Sequence, residues 1–498
     1  MKPIVDDKTR EIVFNVGEDS KSQFISTDDF TAICLNSDLP YMSLEKLSEF
    51  VSTPLDDVHA INMRLDALEE LILKKDLLGA QGKFVSELGN IFPNFYNALD
   101  EYQTADPSKQ NKLIVATDRL VHYIHNMPEL NTIPSSLHIV SSSALLMHFS
   151  TEYTRLMEER DNIWSLIKYL KGVDAKISNL IDEKKAAYLS AHEGEKKSEE
   201  KINAMKFSVL PDELSDLLNP SLLAIYREDA LELDRMMSEF SYYIILASIS
   251  KAKKWVRPII EEREMNCLWI KGGYWPLTPL EDSKTIVRND THLTKYKRAE
   301  ILEGVNKGGK TIDMKKALYI AVLALSGCFV PAGYARVSVR DRIVCREKGT
   351  GDLLSGLQQD AKSAKDTDPV SGEHWLSAMD ETFTSTEKKG GRALTYGVVK
   401  NAVDQQNSLL IISSHYPDLG TDLKGDDRVR FSNFSFNKTI VQPKSEFGEP
   451  SIEITFPYIK RDGVLKVFEY AIAVAETRGF DEEVLTYARK RLDYLKSR

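Results

Sequence analysis

The chain has 498 residues, 42% of them apolar and 28% charged, a composition typical of a globular protein with roughly two to four domains. Its formal net charge of −10 at pH 7 argues against a protein that coats nucleic acid through bulk charge, although a local basic surface remains compatible with it. The four cysteines are scattered without C-x-x-C spacing, which indicates free thiols in a reducing compartment and no zinc site. No apolar stretch is long enough to span a bilayer, and the N-terminus has no apolar signal core, so we expect a cytoplasmic protein without a membrane partner.

The N-terminal half is predicted to be mostly helical. Residues 1–42 are weakly patterned, and no role is assigned to them. Residues 43–259 are predicted to form an all-α core and lever domain, because apolar residues recur at helical spacing from Leu44 to Leu78. A second series, from Ile163 to Leu180, repeats in alternating steps of three and four, which is typical of a coiled-coil seam or of a long helix packed along one stripe.

Two long helices are expected to form an extended lever. The charged stretch Glu183–Lys206 alternates both signs, so we interpret it as a solvated loop or helix tip rather than as a nucleic-acid contact. A second long helix is predicted to run from about Pro220 to Ile249. Two long helices separated by a polar turn favour a lever over a compact bundle.

From about residue 260 onward, strand-like pieces alternate with helices. This alternation indicates an α/β domain, which we place at residues 260–498. The long apolar run Ala317–Ala332 is predicted to be a buried helix within it. The strand-like pieces are Cys267–Ile270, Lys284–Val287, Glu300–Leu302 and Leu409–Ser413.

A glycine-rich segment, Gly304–Thr311, fits the phosphate-binding pattern G-x-x-x-x-G-K-[ST]. It follows the strand-like stretch Ala299–Glu303 and precedes a helix-like run from Met314 to Leu325, and this chemistry needs a strand, a tight turn and a helix start. Lys310 is expected to reach the β- and γ-phosphates of a nucleoside triphosphate, and the Thr311 hydroxyl is expected to hold Mg²⁺. The predicted phosphate-binding residues are Gly304, Asn306, Gly308, Gly309, Lys310 and Thr311.

Two further segments complete the expected site of a P-loop ATPase. The apolar run beginning at His374 ends in Asp380 and Glu381; the first carboxylate is predicted to hold Mg²⁺ and the second to polarise the attacking water. The apolar strand Leu409–Ser413 is followed by His415, at the place where ABC-type ATPases have a histidine that senses the γ-phosphate. A lone histidine is more often structural, so its position beside the other two segments is what makes it a candidate.

These motifs together resemble those of the MutS family of DNA mismatch-repair ATPases. The phosphate loop is similar to the family's Gly-Pro-Asn-x-x-Gly-Lys-Ser, with Val305 in place of the proline. Upstream, Thr53–Leu55 and Ile61–Asp66 resemble the start of the family's core lever, so the resemblance covers roughly residues 40 to 498. The matching segments of the C-terminal half are Asn289–Asp290, Gly304–Thr311, Gly327–Ala332, Asp341–Ile343, Gly349–Asp352, Asp380–Thr386, Ser414–Leu419 and the helix-turn-helix segment Val474–Val484.

The resemblance implies roles for individual residues. Asn306 is expected to position water or the γ-phosphate, Glu381 to act as general base, and His415 to sense the nucleotide state. Ile286 and Val287 are expected to flank the adenine by apolar packing. The C-terminal helix-turn-helix implies that two ATPase domains pair, with ATP and Mg²⁺ bound at the interface of a dimer.

The chain also departs from the family pattern. We expect no N-terminal mismatch-reading domain, for which there is no room, and no clear β-rich clamp between the lever helices. The family has Gly-x-Ser-Thr in the stretch that contacts the nucleotide of the opposite subunit. Here the corresponding signature region is Ser355, Gly356, Leu357, Gln358 and Gln359, which lacks the hydroxyl pair. This change, and the shortened loop after Glu381, call the hydrolysis rate and symmetric homodimerisation into question.

Two functions remain open at this point. The first is a MutS-like ATPase, homodimeric or heterodimeric, that acts on branched or duplex DNA in repair or recombination; it would be nucleoid-associated in a bacterium or nuclear in a eukaryote. The second is an ATP-gated protein-interaction scaffold with weak hydrolysis and little DNA binding, which the acidic net charge favours. A metabolic kinase is disfavoured, because long lever helices are unsuited to forming a pocket for a small substrate.

Overall fold

A computed structural model describes most of the C-terminal half of the chain and short parts of the N-terminal half. The described residues fall into two compact units: one comprises those up to Leu65 and from Ile249 onward, and the other those from Asp66 to Ser248. The described positions are 54–74, 143–147, 239–276, 286–305, 307–346, 372–381, 383–384, 386–416, 418–441, 451–464 and 470–496, together with the isolated positions 47, 50, 51, 176, 179, 183, 186 and 190.

The centre of the first unit is a six-stranded, mainly parallel sheet. In spatial order its strands run β12-β9-β4-β8-β7-β6, and only β12, at the edge, is antiparallel to its neighbour. The bounds are β4 Ala299–Gly304, β6 Arg342–Arg346, β7 Trp375–Met379, β8 Ser408–Ser414, β9 Val429–Phe434 and β12 Lys460–Asp462.

Burial on both faces explains why these segments read as near-continuous apolar runs. Every residue of β4, β7 and β8 is buried, as expected for central strands of a parallel sheet covered by helices. Helix α2 (Lys310–Leu325) packs against these strands and is itself almost wholly buried. Helix α3 (Lys388–Asp404) buries Val399 and Val403 in the same core as Ile301, Leu410 and Ile412.

A second, smaller sheet lies within the same unit. Its four strands are ordered β1-β5-β2-β3, with bounds β1 Ile259–Glu261, β2 Leu268–Gly273, β3 Asn289–Leu293 and β5 Tyr334–Ser338. The short helix α4 (Leu419–Asp422) precedes β9, and the hairpin β10–β11 (Asn437–Val441 and Ser451–Thr455) precedes β12. The described chain closes with α5 (Tyr470–Thr477) and α6 (Glu482–Lys496), joined by a turn at Gly479.

The described helical residues of the N-terminal half are few. Helix α1 spans Val58–Leu73, and residues 239–253 are also helical. The exposed helical positions Lys176, Asn179, Glu183, Ala186 and Ser190 recur at steps of three or four. Most of the predicted lever, including its apolar series Ile163–Leu180, lies outside the described residues. Within the described part of the chain, no helix combines the length and apolar character needed to cross a bilayer.

Two sequence-based element boundaries are wrong. Ile286 and Val287, expected in a strand, have no regular structure, and the strand begins instead at Asn289, where alternate residues turn inward. The apolar run to Ala332 is not one helix, because α2 ends at Leu325. The chain turns there at Gly327, where an added Cβ would lie 2.6 Å from Cβ of Arg64. The mixed α/β architecture expected for the C-terminal half is confirmed.

Candidate nucleotide-binding site

The candidate site lies where three neighbouring parallel strands end. Strands β4, β8 and β7 lie side by side, so their carboxyl ends meet at one edge of the sheet. Gly304 ends β4, Asp380 follows β7, and His415 follows β8. The edge at the carboxyl ends of parallel strands is the usual position of ligand sites in α/β folds.

The phosphate-loop segment forms a tight turn directly before helix α2. Gly304 has φ of 155°, and an added Cβ there would lie 2.8 Å from the carbonyl oxygen of Phe434. Gly309 caps α2 with φ of 101°, a left-handed conformation that favours glycine. The Lys310 ammonium group donates to the carbonyl oxygens of Gly304 at 2.8 Å and Val305 at 3.3 Å. The loop therefore curls around the lysine and presents the helix N-terminus to the cavity, an arrangement suited to an anion.

The two oxygens of Asp380 are held by hydroxyl groups from both neighbouring segments. Thr311 Oγ1 donates to Asp380 Oδ2 at 2.7 Å, and Ser413 Oγ donates to Asp380 Oδ1. Ser413 also accepts from the backbone N–H of Glu381 at 2.8 Å. Thr311 and Asp380 thus bring hard oxygen ligands together, which fits the donor set that Mg²⁺ prefers.

Glu381 lies between two cationic or potentially cationic groups. Its Oε1 is 3.7 Å from Lys310 Nζ and contacts Nε2 of His415. The backbone of Glu381 is left-handed, with φ of 46°, a strained conformation for a residue with a side chain. Such strain concentrates at functional sites, and here it accompanies a carboxylate aimed at the phosphate loop.

A cavity of about 550 Å³ opens beside the phosphate loop. Lys310, Thr311 and Glu381 line one part of it, and Trp275 and Tyr458 supply aromatic surface. Its remaining lining residues are Val287, Asn289, Val305, Lys307, Gly308, Gly309, Ile312, Asp313 and Lys316.

Of the two residues expected to flank an adenine, only one lines the cavity. Val287 lines the cavity, whereas Ile286 is not among the lining residues. Asn306, and the signature region of Ser355, Gly356 and Gln358, lie outside the described residues, so their expected roles stay predictions.

Sequence reasoning missed several residues of this site. Ser413 was assigned only to an apolar strand. Two consecutive serines at the end of such a strand could have indicated hydroxyl groups that form hydrogen bonds at the sheet edge. Tyr458 is contributed from far along the chain, where it precedes β12, and no local pattern distinguishes it. Trp275 is likewise distant in sequence from the phosphate loop.

Comparison with known proteins extends the geometric result. The family model of MutS domain V matches residues 300–496. The chain is 25% identical over 360 residues to the DNA mismatch repair protein MutS of Bacillus pumilus, covering 71% of this chain and 39% of that protein. It is 28% identical over 191 residues to the MutS protein of Bacillus cytotoxicus, covering 38% of this chain and 21% of that protein.

A eukaryotic MutS homologue is also similar to this chain. The MutS protein homolog him-14 of Caenorhabditis elegans is 29% identical over 153 residues, covering 30% of this chain and 18% of that protein. The chain therefore spans about two-fifths or less of the length of each of these relatives. The match to MutS domain V over residues 300–496, the phosphate loop and the carboxylates at the adjoining strand ends support a MutS-family protein.

Proposed function

We propose that this protein is a Mg²⁺-dependent ATPase that acts on DNA. The observation that carries the nucleotide part is the convergence of Lys310, Thr311, Asp380, Glu381 and His415 at one edge of the sheet, beside a cavity of about 550 Å³. Phosphoryl transfer requires little covalent chemistry from a protein, but it requires a clamped metal and an aligned nucleophile.

In this proposal the phosphates bind over the N-terminus of α2. Gly308 and Gly309 let the phosphates approach the backbone N–H groups at the N-terminus of α2, and Lys310 exchanges its contact with Glu381 for the β- and γ-phosphates. Thr311 and Asp380 would hold Mg²⁺, which would supply positive charge to the phosphate oxygens. Asn306 positions the γ-phosphate or the attacking water.

The hydrolytic step is assigned to Glu381 and His415. Once Lys310 contacts phosphate, Glu381 accepts a proton from the attacking water as general base. His415 contacts the same carboxylate, so it can report the nucleotide state to the end of β8. Val287 and Tyr458 provide surface for the base, and Ile286 adds to it from the position next to Val287.

DNA binding and pairing are proposed from the relatives. The Bacillus relatives are named DNA mismatch repair proteins, which supports a role in DNA repair or recombination. We propose a dimer, homomeric or heteromeric, in which Ser355, Gly356 and Gln358 face the nucleotide of the opposite subunit and helices of residues 43–259 move on branched or duplex DNA. The expected location is the cytoplasm, the nucleoid or the nucleus.

An electrophoretic mobility shift series tests the DNA part. Duplex and four-way branched DNA are titrated with the protein at several salt concentrations, with and without ATP and Mg²⁺. Contacts with several phosphates predict a steep loss of affinity with rising salt. If neither DNA binds at low salt under any nucleotide condition, the DNA-acting function is wrong.

That negative outcome would favour the second candidate, an ATP-gated protein-interaction scaffold with weak or no hydrolysis. The net charge of −10 is the observation that supports this alternative.

A further inference from the structure

Four charged side chains are buried together beside the nucleotide cavity. Lys460 Nζ lies 2.9 Å from Asp313 Oδ2 and 3.2 Å from Glu300 Oε1, and Lys316 Nζ lies 2.7 Å from Asp313 Oδ1. All four side chains are at most 4% exposed. We call Glu300, Asp313, Lys316 and Lys460 the buried charge cluster.

The cluster joins parts of the fold that are distant in sequence. Glu300 lies on β4, before the phosphate loop; Asp313 and Lys316 lie on α2, after it; Lys460 begins β12. Ser432 on β9 donates to Glu300 at 2.6 Å, and Lys460 also donates to Thr291 on β3 at 3.4 Å. These contacts fix strand β12, at the edge of the large sheet, to β4 before the phosphate loop and to α2 after it.

The segment that the cluster anchors carries Tyr458, which lines the nucleotide cavity. The Asn289 side chain contacts both ends of this short segment: its Nδ2 donates to the Tyr458 carbonyl oxygen, and its Oδ1 accepts from the Lys460 N–H, each at 2.9 Å. Lys316 donates to the Asn289 carbonyl oxygen at 3.1 Å, which connects this clasp to the cluster. Tyr458 has φ of 56°, so its backbone is held in a conformation that residues with side chains rarely adopt.

The Tyr458 ring packs against the phosphate loop. A Cβ added at Gly309 would lie 3.1 Å from Cδ1 of Tyr458. The residue is nevertheless 45% exposed, so one part of the ring contacts the loop while another part remains available to a ligand in the cavity. An aromatic face in this place can stack on a nucleotide base.

Stability alone does not explain the cluster. Apolar residues of the same size can replace a buried ion pair with little loss of stability or even a gain, whereas a buried network of ion pairs and hydrogen bonds fixes one arrangement of the segments it joins. Lys460 belongs to the short segment that presents Tyr458, and the Asn289 side chain is hydrogen-bonded to the backbone at both ends of that segment.

We propose that the buried charge cluster positions Tyr458 against the base of the bound nucleotide, so that Lys460 determines affinity for the base rather than for the phosphates. This inference rests on the proposed ATP binding. Lys460 is a positioning residue here, because its ammonium group faces Asp313 and Glu300 and acts on the ligand only through Tyr458.

Calorimetric titration with two ligands separates the base from the phosphates. Mg·ATP carries both, and Mg·tripolyphosphate carries phosphates alone. The full-length wild-type protein is compared with Lys460→Met and with Tyr458→Ala. Each variant is expected to weaken ATP binding about tenfold or more, within the range for loss of one base-stacking contact, and to leave tripolyphosphate binding nearly unchanged.

Two further variants control for damage to the fold. Asn289→Ala removes the clasp on Tyr458 without unbalancing the buried charges, so it tests the same positioning if Lys460→Met fails to fold. Lys400→Met removes a lysine that pairs at 2.8 Å with Asp426, outside the cavity lining, and should change neither affinity.

Equal weakening of both ligands in Lys460→Met and Asn289→Ala would overturn the inference, because the cluster would then support only the phosphate loop. Unchanged ATP affinity in both variants would overturn it as well. Wild-type protein that binds neither ligand would overturn the proposed function together with this inference.

Discussion

Lys310 of the phosphate loop and Glu381 at the end of β7 form an ion pair, with Nζ and Oε1 3.7 Å apart. The lysine is 4% exposed, and the glutamate also contacts Nε2 of His415. Lys310, which is proposed to bind phosphate, is therefore paired with Glu381, which is proposed to activate water. In this account, phosphate binding separates them and prepares Glu381 for its role.

Replacing Glu381 by glutamine should separate binding from turnover. The substitution removes a negative charge near the phosphate site and the proposed base, so ATP should bind at least as tightly, while turnover falls by about a hundredfold or more. Equilibrium binding and steady-state phosphate release measure the two effects. Glu264→Gln, at an exposed position of the 3₁₀ turn Arg263–Met265, is the matched control. Normal turnover in Glu381→Gln would remove Glu381 from the mechanism.

Ser413→Ala should weaken the positioning of the Asp380 carboxylate, because it removes one hydrogen bond to it. It deletes the hydroxyl that donates to Asp380 and accepts from the Glu381 N–H. We expect turnover to fall by about tenfold and the Mg²⁺ concentration needed for half-maximal activity to rise, since Asp380, the proposed metal ligand, loses one supporting hydrogen bond.

The chain offers a matched serine on the neighbouring strand. Ser377 on β7 is also buried, and within the described part of the chain its hydroxyl has no hydrogen-bond partner. Ser377→Ala should therefore leave the Mg²⁺ dependence unchanged. Identical Mg²⁺ titrations for both variants and the wild type would contradict the role given to Ser413.

Two glycines of helix α3 should respond oppositely to alanine. A Cβ at Gly391 would lie 2.0 Å from the Tyr416 hydroxyl oxygen and 2.4 Å from the Phe383 carbonyl oxygen, which are hydrogen-bonded to each other at 2.6 Å. Gly391→Ala should lower the free energy of unfolding by about 2 kcal/mol through this clash. At Gly397 nothing lies within 4 Å of an added Cβ, so alanine there should stabilise by about 0.5–1 kcal/mol. Urea unfolding measures both; a stabilising Gly391→Ala would contradict the packing described here.

The sequence was most informative where local pattern and chemistry coincide. The segment Gly304–Thr311 has a pattern that strongly constrains the backbone, and the strand ends at Asp380 and His415 follow from apolar runs that stop at polar residues. Parallel strand order then brings these three segments together, because their carboxyl ends share one edge. For this reason the fold class of the C-terminal half and the central residues of the candidate site could be predicted from the sequence.

What the sequence did not reveal depends on contacts between distant segments. Lys460 is 147 positions from Asp313 by numbering, and nothing near either residue indicates an ion pair. Tyr458 reaches the cavity only because an edge strand pairs antiparallel with β9. The strand expected at Lys284–Val287 is wrong at Ile286 and Val287, because a run of branched residues satisfies the pattern although these two residues pair with no strand in the described part of the chain.

Acid should expose the contribution of Asp313. Burial opposes its ionisation, but the ammonium groups of Lys316 and Lys460 outweigh that effect and lower the pKa of Asp313 to about 2 from its usual 3.8. A pKa lowered by folding gives stability that is complete above the unfolded value and is lost as the pH falls through the folded value. The lost contribution is about 2 kcal/mol between roughly pH 5 and pH 2.

Urea unfolding of the wild type and Asp313→Asn over this pH range tests the assignment. The variant should be less stable at the upper end and should lose less stability on acidification than the wild type. Parallel pH profiles for the two proteins would show that Asp313 is not an ionised partner of the two lysines.

The most direct test of the central claim is Mg²⁺-dependent ATP turnover by the wild type and Lys310→Ala, each with and without branched duplex DNA. We expect turnover by the wild type that requires Mg²⁺ and changes when DNA is added, and only background phosphate release by Lys310→Ala under every condition. Turnover by Lys310→Ala equal to that of the wild type would contradict the central claim, because hydrolysis would then not depend on the phosphate loop.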